Sequence, residues 1–235
     1  MNQKKVKHKL HPFFSWREYF IRYNILMQKK RYFISFIGGI GAGKTTGAEL
    51  ISKSFGFTLV RERFPKNNFL PYFYKDMKTW AFHSQLFFLV EKLNQLIFIK
   101  NELKKNSVVQ DVSVYQDVFM YMEVQRVLGN TTNKEYLINH SIYKKAAAFL
   151  PKPDLLIYLK WSPSTLISQI KNRGRAYEKN ISLSYLNLLN GFLEKWVAKN
   201  SKKLRILTID TQKLNFAKNH SHKKEFIKMV KSFLK

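Results

Sequence analysis

Apolar and polar positions alternate along this chain in two rhythms. Short apolar runs, rich in β-branched and aromatic residues, fall at 32–37, 57–60, 107–109, 155–159 and 204–209. Their length and their lack of a polar face predict buried strands of a parallel sheet. Longer segments with helical spacing lie between and after them, at 45–54, 79–104, 114–128, 134–149, 163–172, 183–199 and 223–233. In the longest, Trp80, Phe87, Leu89, Val90, Leu93, Leu96 and Ile97 are the candidate core positions. Strands that alternate with helices specify βαβ units, whose right-handed crossovers place helices on both faces of the sheet. The expected class is therefore α/β, a three-layer α/β/α arrangement around five parallel strands. No internal repeat or low-complexity linker interrupts the pattern.

Composition sharpens this picture at the ends. The 235 residues are 45% hydrophobic and 24% charged, which excludes disorder, collagen-like repeats and a pure coiled coil. Lys and Arg outnumber Asp and Glu by 42 to 15, for a net charge of +27. Much of the excess sits outside the alternating region. Residues 1–31 hold nine Lys/Arg and one Glu, and residues 199–235 hold eleven and two acids. The organisation expected is a basic, aromatic N-terminal extension at 1–31, an α/β domain at 32–210, and a basic helical extension of that domain at 211–235. Such a charge allows nucleic-acid binding, but no recognition motif accompanies it, and that reading is not favoured.

Cysteine is absent, so disulfides, thiolate nucleophiles and zinc-thiolate sites are excluded. The apolar stretch 80–90 is broken by His83, Ser84 and Gln85 and falls short of the ~20 residues of a membrane span, so no transmembrane helix is expected. The N-terminus lacks the continuous apolar core of a secretory signal; a cytoplasmic protein is expected, with a mitochondrial matrix location as the alternative. His8, His11, His220 and His222 have no carboxylate cluster beside them and read as surface residues.

Between the first strand and the first helix lies Gly38-Gly39-Ile40-Gly41-Ala42-Gly43-Lys44-Thr45-Thr46, which satisfies G-x-x-x-x-G-K-[ST] in the strand–turn–helix context that this motif requires. The glycines let successive backbone N–H groups converge on phosphate, and the helix that begins near Lys44 adds its positive end. Lys44 is placed to neutralise the β- and γ-phosphates of a nucleoside triphosphate, and the Thr45 hydroxyl to ligate Mg²⁺.

Beyond this loop the chain resembles the deoxynucleoside kinase family, especially its bacterial deoxyadenosine and deoxyguanosine kinase branch. Besides the loop, the resemblance rests on residues 62–85 (ERFPKNNFLPYFYKDMKTWAFHSQ), 110–117 (QDVSVYQD) and 172–196 (NRGRAYEKNISLSYLNLLNGFLEKW). It implies a P-loop kinase fold with a helical lid, ATP and a deoxynucleoside as substrates, Mg²⁺ as cofactor, a homodimer, and γ-phosphoryl transfer to the 5′-hydroxyl of a purine deoxynucleoside in nucleotide salvage.

The resemblance also implies residue roles. Glu62 matches the general base that accepts the 5′-OH proton. Tyr74 and Glu178 match the pair that holds the sugar 3′-OH. Gln85 matches the amide that reads the base edge, and Asp117 the acid that reads it together with an arginine. At that arginine's position this chain has Lys92, which keeps the charge without the planar two-pronged contact. Arg173 and Arg175 match the lid guanidiniums that meet the transferring phosphoryl group. Trp80, Phe82 and Phe119 read either as walls for the base or as core.

One departure stands out. Where the family has an acid, then arginine, then serine after the third strand, this chain has Asp111-Val112-Ser113. Asp111 remains suited to Mg²⁺, whereas Val112 carries no charge. Either another cation replaces the arginine, with Arg63 and Lys92 the nearest candidates, or the chain is a catalytically weakened kinase-fold accessory subunit of a larger assembly. A nucleoside monophosphate kinase is a further enzymatic alternative.

Overall fold

The computed structural model describes residues 30–62, 67–178 and 181–234. The chain divides into Met1–Arg31 and Tyr32–Lys235. All but Lys30 and Arg31 of the N-terminal extension therefore lies outside the described residues, as does Arg63.

Five strands form one sheet: β1 (Phe33–Gly38), β2 (Thr58–Val60), β3 (Val108–Gln110), β4 (Leu155–Lys160) and β5 (Ile206–Asp210). Their order is β2-β3-β1-β4-β5 and every pairing is parallel. This is the expected five-stranded parallel sheet. β1 lies at its centre, with Ile34 opposite Val109 of β3 and Leu155 of β4. All six β1 residues are buried, which explains why the segment has no polar face. Chain direction reverses its side of the sheet around β1, so the crevice for a ligand opens at the carboxyl end of that strand.

Helices cover the sheet in chain order: α1 (Lys44–Phe55), α2 (Leu70–Lys75), α3 (Met77–Glu102), α4 (Val114–Gln116), α5 (Met122–Val127), α6 (Asn133–Ala147), α7 (Pro163–Arg173), α8 (Leu183–Asn200) and α9 (His220–Phe233). Two expectations need correction. The single helix foreseen at 114–128 is interrupted by a π-helical turn over Asp117–Tyr121, between α4 and α5. Such widened turns are a recurring feature of functional sites, and this one begins at Asp117, a candidate site residue. In α3, Val90 and Ile97 are about half exposed rather than core. The face of α3 turned inward instead carries Ser84, Gln85, Lys92 and Gln95 beside Ala81, Leu89, Leu96 and Ile99.

That polar inner face is tied to the sheet by a buried relay. The Ser35 hydroxyl donates to Gln110 Oε1 at 2.9 Å, Gln110 Nε2 donates to Gln95 Oε1 at 2.9 Å, and Gln95 Nε2 donates to the Arg61 carbonyl at 3.2 Å. Satisfied amides of this kind fix geometry, because breaking one strands a buried polar atom. The relay sets α3 against β1, β3 and the end of β2, where Glu62 follows.

Candidate active site

The phosphate loop leaves the carboxyl end of β1 and enters α1. Gly43 caps that helix at φ 89°, a left-handed conformation that favours glycine. One turn later Gly47 lets α1 approach the sheet; a Cβ there would lie 2.7 Å from the Phe36 ring. The loop is braced from outside by Gln116, whose Oε1 accepts from the Gly38 N–H at 2.9 Å, a role that the sequence did not reveal. Lys44 Nζ donates to the Gly38 and Gly39 carbonyls at 2.8 and 2.9 Å, so the ammonium is held over the loop. Burial lowers its pKa to about 8.

Thr45 Oγ1 donates to Asp111 Oδ2 at 2.8 Å. Asp111 Oδ1 is buried without a hydrogen-bond partner, and burial, with Glu62 nearby, raises the carboxyl pKa. A hydroxyl and a half-satisfied carboxylate at the phosphate loop form a hard-oxygen donor set that fits Mg²⁺, an ion usually held by one or two carboxylates plus substrate phosphates.

A cleft of about 640 Å³ runs from this loop toward α2 and α3. That volume suits a small-molecule site. Lys44, Thr45, Thr46, Glu62, Tyr74, Gln85, Asp111, Asp117, Arg173, Arg175 and Glu178 all line it. The structure thus brings these sequence-inferred residues to one place. Lys92 stands behind the wall at 1% exposure and donates to Glu62 Oε1 at 2.8 Å and to the Val112 carbonyl at 3.0 Å. Burial works against charge on both partners, but their attraction outweighs it: the Glu62 pKa is lowered and that of Lys92 raised.

Elsewhere in the cleft lining, Gln85 Oε1 and Asp117 Oδ2 are buried and have no hydrogen-bond partner. Burial pushes the Asp117 pKa up to about 7, with Lys92 opposing the shift and Glu62 adding to it. Tyr74 stacks on Tyr177 at 5.7 Å, and burial raises its pKa well above the usual phenol value. Glu178 is 4% exposed and accepts from both lid arginines, from Arg173 and, at 3.2 Å, from Arg175. Gly174 ends α7 at φ 72°, and this left-handed turn lets the two arginines flanking it meet one carboxylate.

Trp80, Phe82 and Phe119 do not line the cleft; Phe73 and Phe88 do. Phe119 stacks on Trp196 at 5.7 Å and is core, and Trp80 packs with Phe69, Tyr72 and His83. Tyr121 and Tyr185 also face the cleft and were not singled out from sequence, because nothing local distinguishes them from packing aromatics.

A central-strand phosphate loop, a Thr–Asp oxygen pair and arginines on a lid, arranged on a parallel sheet, define a P-loop phosphotransferase. A family model for deoxynucleoside kinase matches residues 34–235, and the chain belongs to that family of kinases. It is 35% identical to the deoxyguanosine kinase of Bacillus subtilis, over 86% of this chain and 97% of that one. It is 30% identical to the deoxyadenosine kinase of Lactobacillus acidophilus, over 82% and 92%. Among solved structures, deoxyadenosine kinase from M. mycoides with dCMP and dCDP bound superimposes with a TM-score of 0.75 at 27% identity, covering 85% of this chain and 99% of that one. Among the described residues no helix is long and apolar enough to cross a membrane.

Proposed function

We propose that this chain transfers the γ-phosphoryl group of Mg·ATP to the 5′-hydroxyl of a deoxynucleoside, a purine deoxynucleoside by preference, in nucleotide salvage. The observation that carries the reading is the position of Glu62. Its carboxylate lines the cleft close enough to act on the charges of Lys44 and Asp111 at the phosphate loop and on that of Asp117, which with Gln85 holds an unpartnered acceptor. A nucleoside laid along the cleft has its base at Gln85 and Asp117 and its 5′-hydroxyl at the Glu62 carboxylate.

In the transfer, the bond from the nucleoside O5′ to the γ-phosphorus forms as the bond to the β,γ-bridging oxygen breaks, and the hydroxyl proton goes to Glu62. Lys44, Arg173 and Arg175 stabilise negative charge on the phosphoryl oxygens. Thr45 and Asp111 would hold Mg²⁺, which would supply charge neutralisation to the triphosphate. Tyr74 and Glu178 sit together at the wall where the sugar hydroxyl would lie. The relatives named as deoxyguanosine and deoxyadenosine kinases support a purine acceptor. The accessory-subunit alternative finds no support in the relatives, which are kinases, and no observation favours a mitochondrial location.

A homodimer accompanies this reading. Val90, Ile97 and Phe98 form an exposed apolar stripe on α3, and Leu137 and Ile138 are exposed on α6, which packs beside it. A second copy would cover such a surface. Light scattering should report twice the chain mass, and Ile97→Glu should shift it toward one; a wild-type monomer would remove this part.

The catalytic reading is tested by product analysis. Purified full-length protein with Mg·ATP should convert at least one purine deoxynucleoside to its 5′-monophosphate. Conversion of monophosphates to diphosphates alone would point to a nucleoside monophosphate kinase, and no product from any of the four deoxynucleosides would refute the reading.

A further inference from the structure

Lys92 is the buried cation whose task the sequence could not assign. It lies two turns after Gln85 on the inward face of α3, so one helix face carries both an amide aimed at the base end and an ammonium, about 10 Å further along the axis. Geometry separates their surroundings. The ammonium has three donors, and two are spent on Glu62 Oε1 and the Val112 carbonyl. Lys92 makes no ion pair with Asp117 within 4.0 Å, although the two are close enough to influence one another's charge. Asp117 Oδ2 stays without a hydrogen-bond partner. The cation's hydrogen bonds are thus committed to Glu62 and the Val112 carbonyl and not to Asp117.

Its partner there explains why. The Val112 side chain is buried at 3% exposure and carries no charge, yet its carbonyl is what anchors Lys92. A carboxylate in this wall needs a nearby cation to remain ionised, since burial alone would protonate it. Lys44 and Arg175 also act on Glu62, but Lys92 is the group hydrogen-bonded to it.

We propose that Lys92 is a positioning residue for phosphoryl transfer and not a reader of the base. It fixes Oε1 of Glu62, which leaves Oε2 to receive the 5′-hydroxyl proton, and it supplies beside the reacting atoms the positive charge that Val112 lacks. Lys92 stays protonated throughout; the only proton that moves goes from the 5′-hydroxyl to Glu62. This assignment rests on the kinase reading above.

Steady-state kinetics of the full chain with Mg·ATP and each of the four deoxynucleosides test it, using Lys92→Met, Lys92→Arg and the double variant Lys92→Met/Val112→Arg. Lys92→Met should lower kcat about 10²-fold, the scale set by loss of one preorganised donor. It should leave nucleoside KM within about threefold and keep the order of preference among bases, since KM and kcat report different losses. Lys92→Arg should stay within about tenfold of wild type, and the added guanidinium of the double variant should recover at least about tenfold of the kcat lost by Lys92→Met, by returning charge to the same place. A merely structural lysine would not be rescued from position 112. If Lys92→Met fails to fold, Lys92→Arg decides alone: a reordered base preference at near-normal kcat overturns the assignment. An unchanged kcat with raised KM in Lys92→Met overturns it as well. The kinase reading itself fails in a different way, through a wild type as silent as Lys44→Ala.

Discussion

The two ends of the cleft solve opposite problems. At the phosphate loop, Lys44 is held by the loop carbonyls and Thr45 by Asp111 Oδ2, with only Asp111 Oδ1 left over, and Arg173 and Arg175 are paired with Glu178. A phosphate must exchange these contacts for its own. At the base end, Gln85 and Asp117 each hold a buried acceptor with no partner. A buried acceptor left unpaired is costly, and a ligand group that donates to it recovers that cost. The first end is a charge network waiting to be redirected, and the second a local instability that a matching base would relieve. Catalysis should therefore be sensitive at one end, and binding and stability at the other.

The largest expected effect tests the phosphate end. Lys44→Ala removes the ammonium held over the loop and should lower turnover by about 10³-fold or more, measured as ADP release, with little change in nucleoside affinity. A loss below tenfold would mean that the loop lysine is not aimed at the transferring group.

Gln85→Leu separates the ends in the opposite sense. Without the amide, nucleoside KM should rise by about 10- to 10²-fold. Because an unpartnered buried acceptor disappears, the free protein should melt no lower than wild type. A melting point well below wild type would show that Gln85 is satisfied in the free protein.

Asp117→Asn tests the same end through pH. The carboxyl pKa of Asp117 is about 7 in the fold, against 3.8 as its ordinary value, so the folded state holds this proton more tightly than the unfolded chain does. Stability contributed by this group is then lost as pH rises between those values and stays lost above about 7. The asparagine variant should out-melt wild type at pH 8, and its advantage should shrink toward pH 5. Parallel melting curves across that range would refute the assignment of burial as the cause. Under the same account, nucleoside affinity in wild type should change across pH 7, since the acid donates a hydrogen bond and the carboxylate only accepts.

The smallest effect lies away from both ends. Thr132 and Glu135 form a reciprocal capping box at the start of α6. Thr132→Ala should cost about 1 kcal/mol in denaturant unfolding and leave kinetics untouched.

Much of this architecture was written locally. The strand runs and the glycine loop depend on neighbours in sequence, so 32–37 and Gly38–Thr46 were legible without a fold. Three features were not. Val90 and Ile97 read as core because apolar residues usually are, yet α3 turns its polar face inward to build the site. The π-helical turn at Asp117 depends on how α3, α6 and α8 pack around it, which no local pattern encodes. Lys92 could be placed near Asp117 or near Glu62 only by resemblance, because the choice depends on a carbonyl of Val112 twenty positions away.

Glu62 joins the two ends, and its exchange for glutamine is the most direct test of the whole account. Calorimetry and turnover should be measured together on wild type and Glu62→Gln, with the preferred deoxynucleoside and Mg·ATP. The glutamine still accepts from Lys92 but cannot take a proton, so nucleoside affinity should stay within about threefold while turnover falls by about 10²- to 10⁴-fold. A Glu62→Gln protein that turns over at nearly the wild-type rate would contradict the placement of the 5′-hydroxyl at this carboxylate.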